Sequence, residues 1–369
     1  MTESATPAAS NVTFGNNTYK KCLPYDAHES ISDQVVMTAG YVILFIFSLI
    51  GNIVVITAFF KQKKELRTPV QCFLVNMAVS DLFVPLFVIP RRIKQIYHGW
   101  GTWLIAGVLG EILCKIVNFA DEVSVTVSSQ SMVFIAAERF WAIVFPMRSF
   151  FISSEKITSR VICFTWISST IFFFYYFFAY KLDYEGKRPF CGNSLPQLFD
   201  TRYDLWRVDR LSLLAIFVLL PFFLMIGFYV AIIRALYLQG KTAVHLSSAA
   251  QQRRTRENKN VTLMLVVVVI LFFVSWTPYY IYFFLYYYEL GSNWSCVSLQ
   301  RLRLGSKYMN YIYTAANPLI YYIFNATFRR RVRQLLICFR HHGVQPEVSM
   351  ESGPTVTCQC SGCNWASKT

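Results

Sequence analysis

Seven stretches of this chain stay apolar for longer than a soluble core needs, and that bunching decides its class. A helix needs about 20 apolar residues to cross the hydrocarbon core of a bilayer. Residues 35–60, 161–180, 211–233, 261–288 and 308–324 carry no charge at all. Residues 69–90 are interrupted only by Asp81, and 112–137 hold Lys115, Asp121 and Glu122. Hydrophobic residues make up 55% of the chain and charged residues 15%, against about 25% charged in soluble domains. The short alternating segments of a β-barrel are missing. The fold class is therefore an all-α membrane protein: a seven-transmembrane helix bundle, with a short amphipathic helix after span seven.

Orientation follows from the loops. Lys61, Lys63, Lys64 and Arg67 follow span one directly, and the positive-inside rule puts them in the cytoplasm. Seven spans then leave the N-terminus outside and the tail inside, a multi-pass arrangement in the plasma membrane. No apolar h-region precedes span one, so that span is expected to act as the uncleaved targeting signal. Nearly all of the net charge of +15 falls on the inner segments. Attraction to anionic lipid accounts for it better than nucleic acid, since no soluble basic domain is present.

Two features agree with this topology. The sequons at Asn11, Asn16 and Asn293 fall outside, whereas those at Asn260 and Asn325 fall inside and are read as chance. Cys22, Cys114, Cys191 and Cys296 also fall outside, where disulfides persist. Three further cysteines, Cys358, Cys360 and Cys363, sit in a tail without an accompanying histidine, so zinc is discounted.

Polar and charged groups inside spans are costly, and they mark function by default. Here they recur in a fixed order: Gly51-Asn52 in span one, Asn76 to Leu82 with Asp81 in span two, Cys114 at the head of span three and Glu138-Arg139-Phe140 at its foot. Trp166 follows in span four, Pro221 in span five, Phe272 and Trp276-Thr-Pro278 in span six, and Asn317-Pro318-Leu-Ile-Tyr321 in span seven. The series resembles the rhodopsin-like (class A) G-protein-coupled receptor family over residues 35–340. The implied organisation is an extracellular tail (1–34), a seven-transmembrane receptor domain (35–324), an amphipathic juxtamembrane helix (325–340) and a cytoplasmic tail (341–369). Both polar termini are expected to be flexible.

The resemblance implies a receptor without catalytic residues, coupled to a heterotrimeric G protein. Glu138, Arg139, Tyr229, Phe272, Pro278, Asn317, Pro318 and Tyr321 are the expected switch residues. Arg139 can exchange a local carboxylate for another partner, and Pro278 and Pro318 permit kinks. The opposing acid of the family falls at Asn258, with Glu257 one residue off, and Ser129 replaces an apolar residue between Pro221 and Phe272. Asp81, Ser128 and Asn317 form the expected site of an allosteric sodium ion, because hard cations prefer oxygen. Cys114 and Cys191 would tie span three to the second outer loop. Cys22 and Cys296 stay open as a second pair, since four cysteines allow three pairings. Cys338, in the basic and apolar segment after span seven, is the palmitoylation candidate.

For the ligand, Asp121, Glu122, Trp276, Tyr279, Tyr280, Lys307 and Tyr311 are the expected contacts. Asp121 occupies the position that holds a cation-binding acid in amine receptors and in several peptide-receptor groups. Its competing reading is an internal ion pair, with Lys307 as partner to Asp121 or Glu122. The family's retinal-bearing lysine would fall at Tyr311, so no retinal is expected and no cofactor is required. Leu213, Leu214 and Phe217 stand where amine receptors place serines. Arg91, Arg92, Lys94, Arg202, Arg207 and Arg210, interleaved with Asp200, Asp204 and Asp209, read as a mixed polar rim suited to a peptide. A peptide with a cationic group is thus expected, with a biogenic amine as runner-up. A seven-span channel or transporter is the alternative of another class, although no internal repeat of the transporter kind is visible.

Overall fold

The structure is a computed structural model that describes residues 9–14, 17–22, 30–62, 67–99, 101–145, 154–186, 188–193, 205–242, 249–288 and 294–342. Its longer helices are α1 (Ile31–Phe60), α2 (Pro69–Asp81), α3 (Ile89–His98), α4 (Gly107–Val144), α5 (Glu155–Phe173), α6 (Leu205–Leu213), α7 (Leu220–Thr242), α8 (Ala249–Tyr287), α9 (Cys296–Phe324) and α10 (Ala326–His342), with a single turn at Tyr176–Ala179 after α5. By length and composition five described segments can cross a membrane: Ile31–Phe60, Pro69–His98, Glu155–Ala179, Arg207–Leu238 and Lys259–Tyr286. The long helices α4 and α9 carry more charge, and they bring most of the site residues.

Local chemistry sets the helix starts. Thr68 accepts from the Gln71 amide at 3.4 Å while the Gln71 side chain returns a bond to the Thr68 amide at 3.2 Å, with Pro69 in the first turn. This reciprocal cap satisfies two donors that the helix leaves open. Ser30, Ser154 and Ser295 cap α1, α5 and α9 in the simpler way. Two π-helical turns, Val84–Val88 and Leu214–Leu219, join α2 to α3 and α6 to α7. Each lies beside prolines (Pro85 and Pro90, or Pro221) whose missing N–H breaks the i→i−4 ladder.

The bundle is polar within and apolar without. Ser80, Asp81, Thr126 and Ser128 are 0% exposed, whereas Ile171 is 71% and Phe223 64% exposed. In water so much exposed apolar surface would be a liability, whereas a bilayer solvates it and demands that backbone polar groups be met internally. This is a multi-pass membrane protein. Helix α4 runs through the middle, packed on α2, α5, α7 and α8, and α8 lies along α9.

Outside the bundle, β3 (Tyr180–Glu185) and β4 (Arg188–Asn193) form an antiparallel hairpin. The disulfide Cys114–Cys191 hangs it from the head of α4, with Cα atoms 5.7 Å apart. Further bonds run from the Cys191 amide to the Gly101 carbonyl (2.8 Å) and from the Trp103 amide to the Pro189 carbonyl (2.9 Å). Gly101, at φ +82°, has the Phe190 ring where a Cβ would stand, so only glycine fits there.

In the described part of the N-terminal tail β1 (Ala9–Phe14) and β2 (Asn17–Cys22) pair antiparallel, and α1 starts at Ile31. After α9, α10 packs on α1 and α9 with Leu335 buried and Arg330 and Arg333 exposed. Asn16, Asn293 and residues 343–369 lie outside the described residues, as do the side chains of Asn11, Cys22, Cys296 and Cys338.

Candidate functional site

Three prolines bend the spans, and each leaves backbone carbonyls that a buried helix must satisfy elsewhere. Beside Pro221, in the π turn that precedes it, Ser129 Oγ donates to the Phe217 carbonyl at 2.6 Å. Pro318 would serve Thr314, whose carbonyl accepts from Asn52 Nδ2 at 3.2 Å. Beside Pro278, Asn310, with its amide turned so that nitrogen faces acceptors, donates to the Ser275 carbonyl at 2.6 Å. Gly51 lets the Pro318 ring approach, since an added Cβ would stand 2.9 Å from that ring. The Gly51-Asn52 pair of α1 therefore serves the bend of α9.

A polar cluster fills the middle of the bundle. Asp81 accepts from Ser128 Oγ at 2.9 Å, from Asn317 Nδ2 at 3.0 Å and from Tyr313 Oη at 3.5 Å. Asn317 Oδ1 is buried without a hydrogen-bond partner. The expected sodium residues thus form one oxygen-rich group, with an acceptor left over that suits a hard cation. Asn76 ties α2 to α4 and α5 through Ser131 (2.9 Å), Thr165 (3.3 Å) and Trp166 Nε1 (2.8 Å). The Tyr313 ring also packs edge-on to Phe272 at 5.5 Å, and Phe272 faces Trp276 at 6.0 Å. One tyrosine therefore links the buried carboxylate to the aromatic stack of α8.

Toward the hairpin lies a narrow cavity, lined by Asp121, Glu122, Trp276, Lys307 and Tyr311 among others. Tyr279 and Tyr280, also expected there, pack around Trp276 at 5.9 and 6.1 Å. The charges in this region are heavily paired. Asp121 meets Arg91 at 3.1 Å and Arg92 at 3.8 Å, and Arg92 also donates to Tyr311 Oη at 3.0 Å. Glu122 meets Arg210 at 2.7 Å, and Arg210 meets Asp209 at 2.5 Å. The phenols of Tyr176 and Tyr175 bond Arg210 and Asp209 in turn. Lys307 Nζ lies 4.1 Å from the centroid of the Tyr279 ring.

Two sequence expectations change here. Arg91, Arg92, Asp209 and Arg210 are not a solvated rim: all four are buried, Arg210 to 1% exposure. The π turns explain why. An extra residue per turn shifts the helical register, and the side chains beyond each turn swing inward. The acids' internal partners are arginines of α3 and α6 rather than Lys307. Asp200, Arg202 and Asp204 lie outside the described residues. Hydropathy runs stopped at residue 90 and restarted at 211, so they missed these arginines. The adjacent pairs Arg91-Arg92 and Asp209-Arg210 at span ends were the available signal.

At the inner end, Glu138 holds Arg139 through two bonds of 2.5 and 2.9 Å. Phe140 packs on Phe228 with ring centroids 5.4 Å apart. Tyr229 Oη is buried without a partner, and Tyr321 Oη reaches Met77 Sδ at 3.9 Å. These two switch residues are not in contact with each other. The side chains of Glu257 and Asn258 lie outside the described residues.

Residues 51–321 match the family described as 7 transmembrane receptor (rhodopsin family). The chain is 26% identical over 230 residues to a QRFP-like peptide receptor of Branchiostoma floridae, covering 60% of this chain and 57% of that protein. To the cholecystokinin receptor type A of Cavia porcellus it is 30% identical over 200 residues, covering 53% and 44%. To melanopsin-B of Xenopus laevis it is 32% identical over 146 residues, covering 39% and 26%. The chain thus spans under two thirds of the length of each of these relatives.

Proposed function

Because the chain belongs to the rhodopsin family of seven-transmembrane receptors, a family of receptors rather than enzymes, we propose that it is a plasma-membrane receptor for an extracellular peptide. The observation that carries this reading is the cavity beneath the disulfide-hung hairpin, lined by Asp121, Glu122, Trp276, Lys307 and Tyr311. Peptide-receptor relatives support the ligand class. The amine alternative gains nothing from Leu213 and Phe217, which are buried and apolar. Tyr311 in place of the family's retinal lysine argues against a photoreceptor, despite the melanopsin relative. A ligand cation at Asp121 would have to compete with Arg91 and Arg92.

On this reading seven helices span the membrane with the N-terminus outside, and α10 lies on the inner leaflet. Ligand binding favours an outward-swung α8, hinged at Pro278, which frees Arg139 from Glu138 and opens a cavity for a G-protein α-subunit. Only a ligand that binds the two states unequally can shift that equilibrium. Asp81, Ser128 and Asn317 would hold an allosteric sodium ion, which would supply positive charge to a buried carboxylate. The test is ligand-dependent nucleotide exchange on a heterotrimeric G protein in membranes carrying this chain. Exchange elicited by a peptide from a screen of peptides and amines supports the reading. An ion current without exchange on any G protein would sink it.

A further inference from the structure

Around the cavity, the described residues leave donors without acceptors. Four cations (Arg91, Arg92, Arg210 and Lys307) face three carboxylates, Asp121, Glu122 and Asp209. The three arginines take the three carboxylates. Lys307 forms no ion pair within 4 Å among the described residues, and the face of Tyr279 lies beside its ammonium, with Asp121 and Glu122 farther off in the same cavity. A second donor in the same cavity is also unmet: Trp276 Nε1 is buried and without a hydrogen-bond partner, its residue 4% exposed. Indole nitrogen donates only, and an ammonium has three donors and no acceptor. Both residues line the cavity.

Neither shortfall is neutral. An uncompensated charge at membrane depth is expensive, and a buried donor without an acceptor carries its full desolvation penalty. A ring face offsets only part of the first cost. One group answers both: a negatively charged acceptor small enough to sit between Lys307 and Trp276. Asp121 and Glu122 also line the cavity, but each is already neutralised by arginine.

We propose that the ligand of this receptor carries a carboxylate that pairs with Lys307 and accepts from Trp276 Nε1. This rests on the receptor reading but names the chemistry of the anchor, and it departs from a purely cationic ligand. A free C-terminus or an acidic side chain of a peptide supplies the same group.

The test uses the full chain purified in detergent and followed by thermal unfolding, so it needs neither an agonist nor a G protein. The probes are N-acetylphenylalanine and its uncharged amide at millimolar concentration. The carboxylate raises the melting temperature by a few degrees and the amide does not. Lys307→Arg keeps the preference, and Lys307→Met abolishes it. Without any probe, Lys307→Met melts no lower than the parent chain, because it removes an unmatched charge. Equal stabilisation by acid and amide, no stabilisation by the acid, or a preference that survives in Lys307→Met would overturn the proposal. So would a marked fall in melting temperature of unliganded Lys307→Met, since it would make the lysine a structural ion-pair partner. Failure of nucleotide exchange would defeat the receptor reading and leave this binding result standing.

Discussion

Ser129 donates its hydroxyl to the Phe217 carbonyl at 2.6 Å, in the π turn that precedes Pro221. A polar residue at this core position therefore supports the π turn of a neighbouring span. Removing it takes a hydrogen bond from a buried carbonyl, a net loss of about 0.5–1.5 kcal/mol. Ser129→Ala should lower the melting temperature of the purified chain, and Ser129→Thr should largely preserve it. An alanine variant that melts with the parent chain would count against this role.

Gly51 gives a case where two effects oppose. Alanine gains up to about 1 kcal/mol of helix propensity over glycine. The new Cβ, however, would stand 2.9 Å from the rigid Pro318 ring, and overpacking costs about 1–3 kcal/mol. The clash should win. Gly51→Ala is expected to melt earlier and express less at the surface, whereas Gly227→Ala, with nothing within 4 Å of the new Cβ, should be near neutral or better.

Arg91 and Asp121 form a buried pair at 3.1 Å. Breaking such a pair from one side costs about 3–5 kcal/mol, so Arg91→Ala and Asp121→Ala should each destabilise the receptor. The double variant should lose less than the sum of the singles, with a coupling of about 0.5–3 kcal/mol. Strict additivity in thermal or chemical unfolding would mean the pair does not form. Once an agonist is known, its potency at Asp121→Asn separates the roles: unchanged potency leaves Asp121 purely structural, and a loss adds a ligand contact.

Sodium should stabilise the unliganded receptor through Asp81. In sodium chloride the parent chain is expected to melt higher than in the chloride of a bulky organic cation at equal ionic strength. Asp81→Asn should remove the difference, since it takes away the charge that Ser128 and Asn317 surround. A salt effect that persists in Asp81→Asn would place the ion elsewhere.

The long apolar runs and the prolines within the spans were legible in one dimension, because hydropathy and missing N–H groups act locally, whereas the pairing of Cys114 with Cys191 came only from the family resemblance. The partners of those prolines were not legible. Asn52 and Ser129 are separated by hundreds or tens of residues from the carbonyls they serve, and only packing brings them there. The buried arginines were hidden for another reason. Arg91, Arg92 and Arg210 flank apolar runs, where charges ordinarily meet water, and a π turn is needed to rotate them inward. Asp121, Glu122, Lys307 and Tyr311 share a cavity with Trp276, but the charge balance there could be read only once each acid had found its arginine.

The hairpin slung from Cys114 has a consequence for how a peptide must be built. The space on its inner side, lined by Asp121, Trp276, Lys307 and Tyr311, is narrow. If the proposed peptide enters this cavity, it passes the hairpin with one tip and lays the rest across the outer face. Such a ligand divides its labour along its length: the tip carries the instruction, and the remainder serves as an address read on the doorstep.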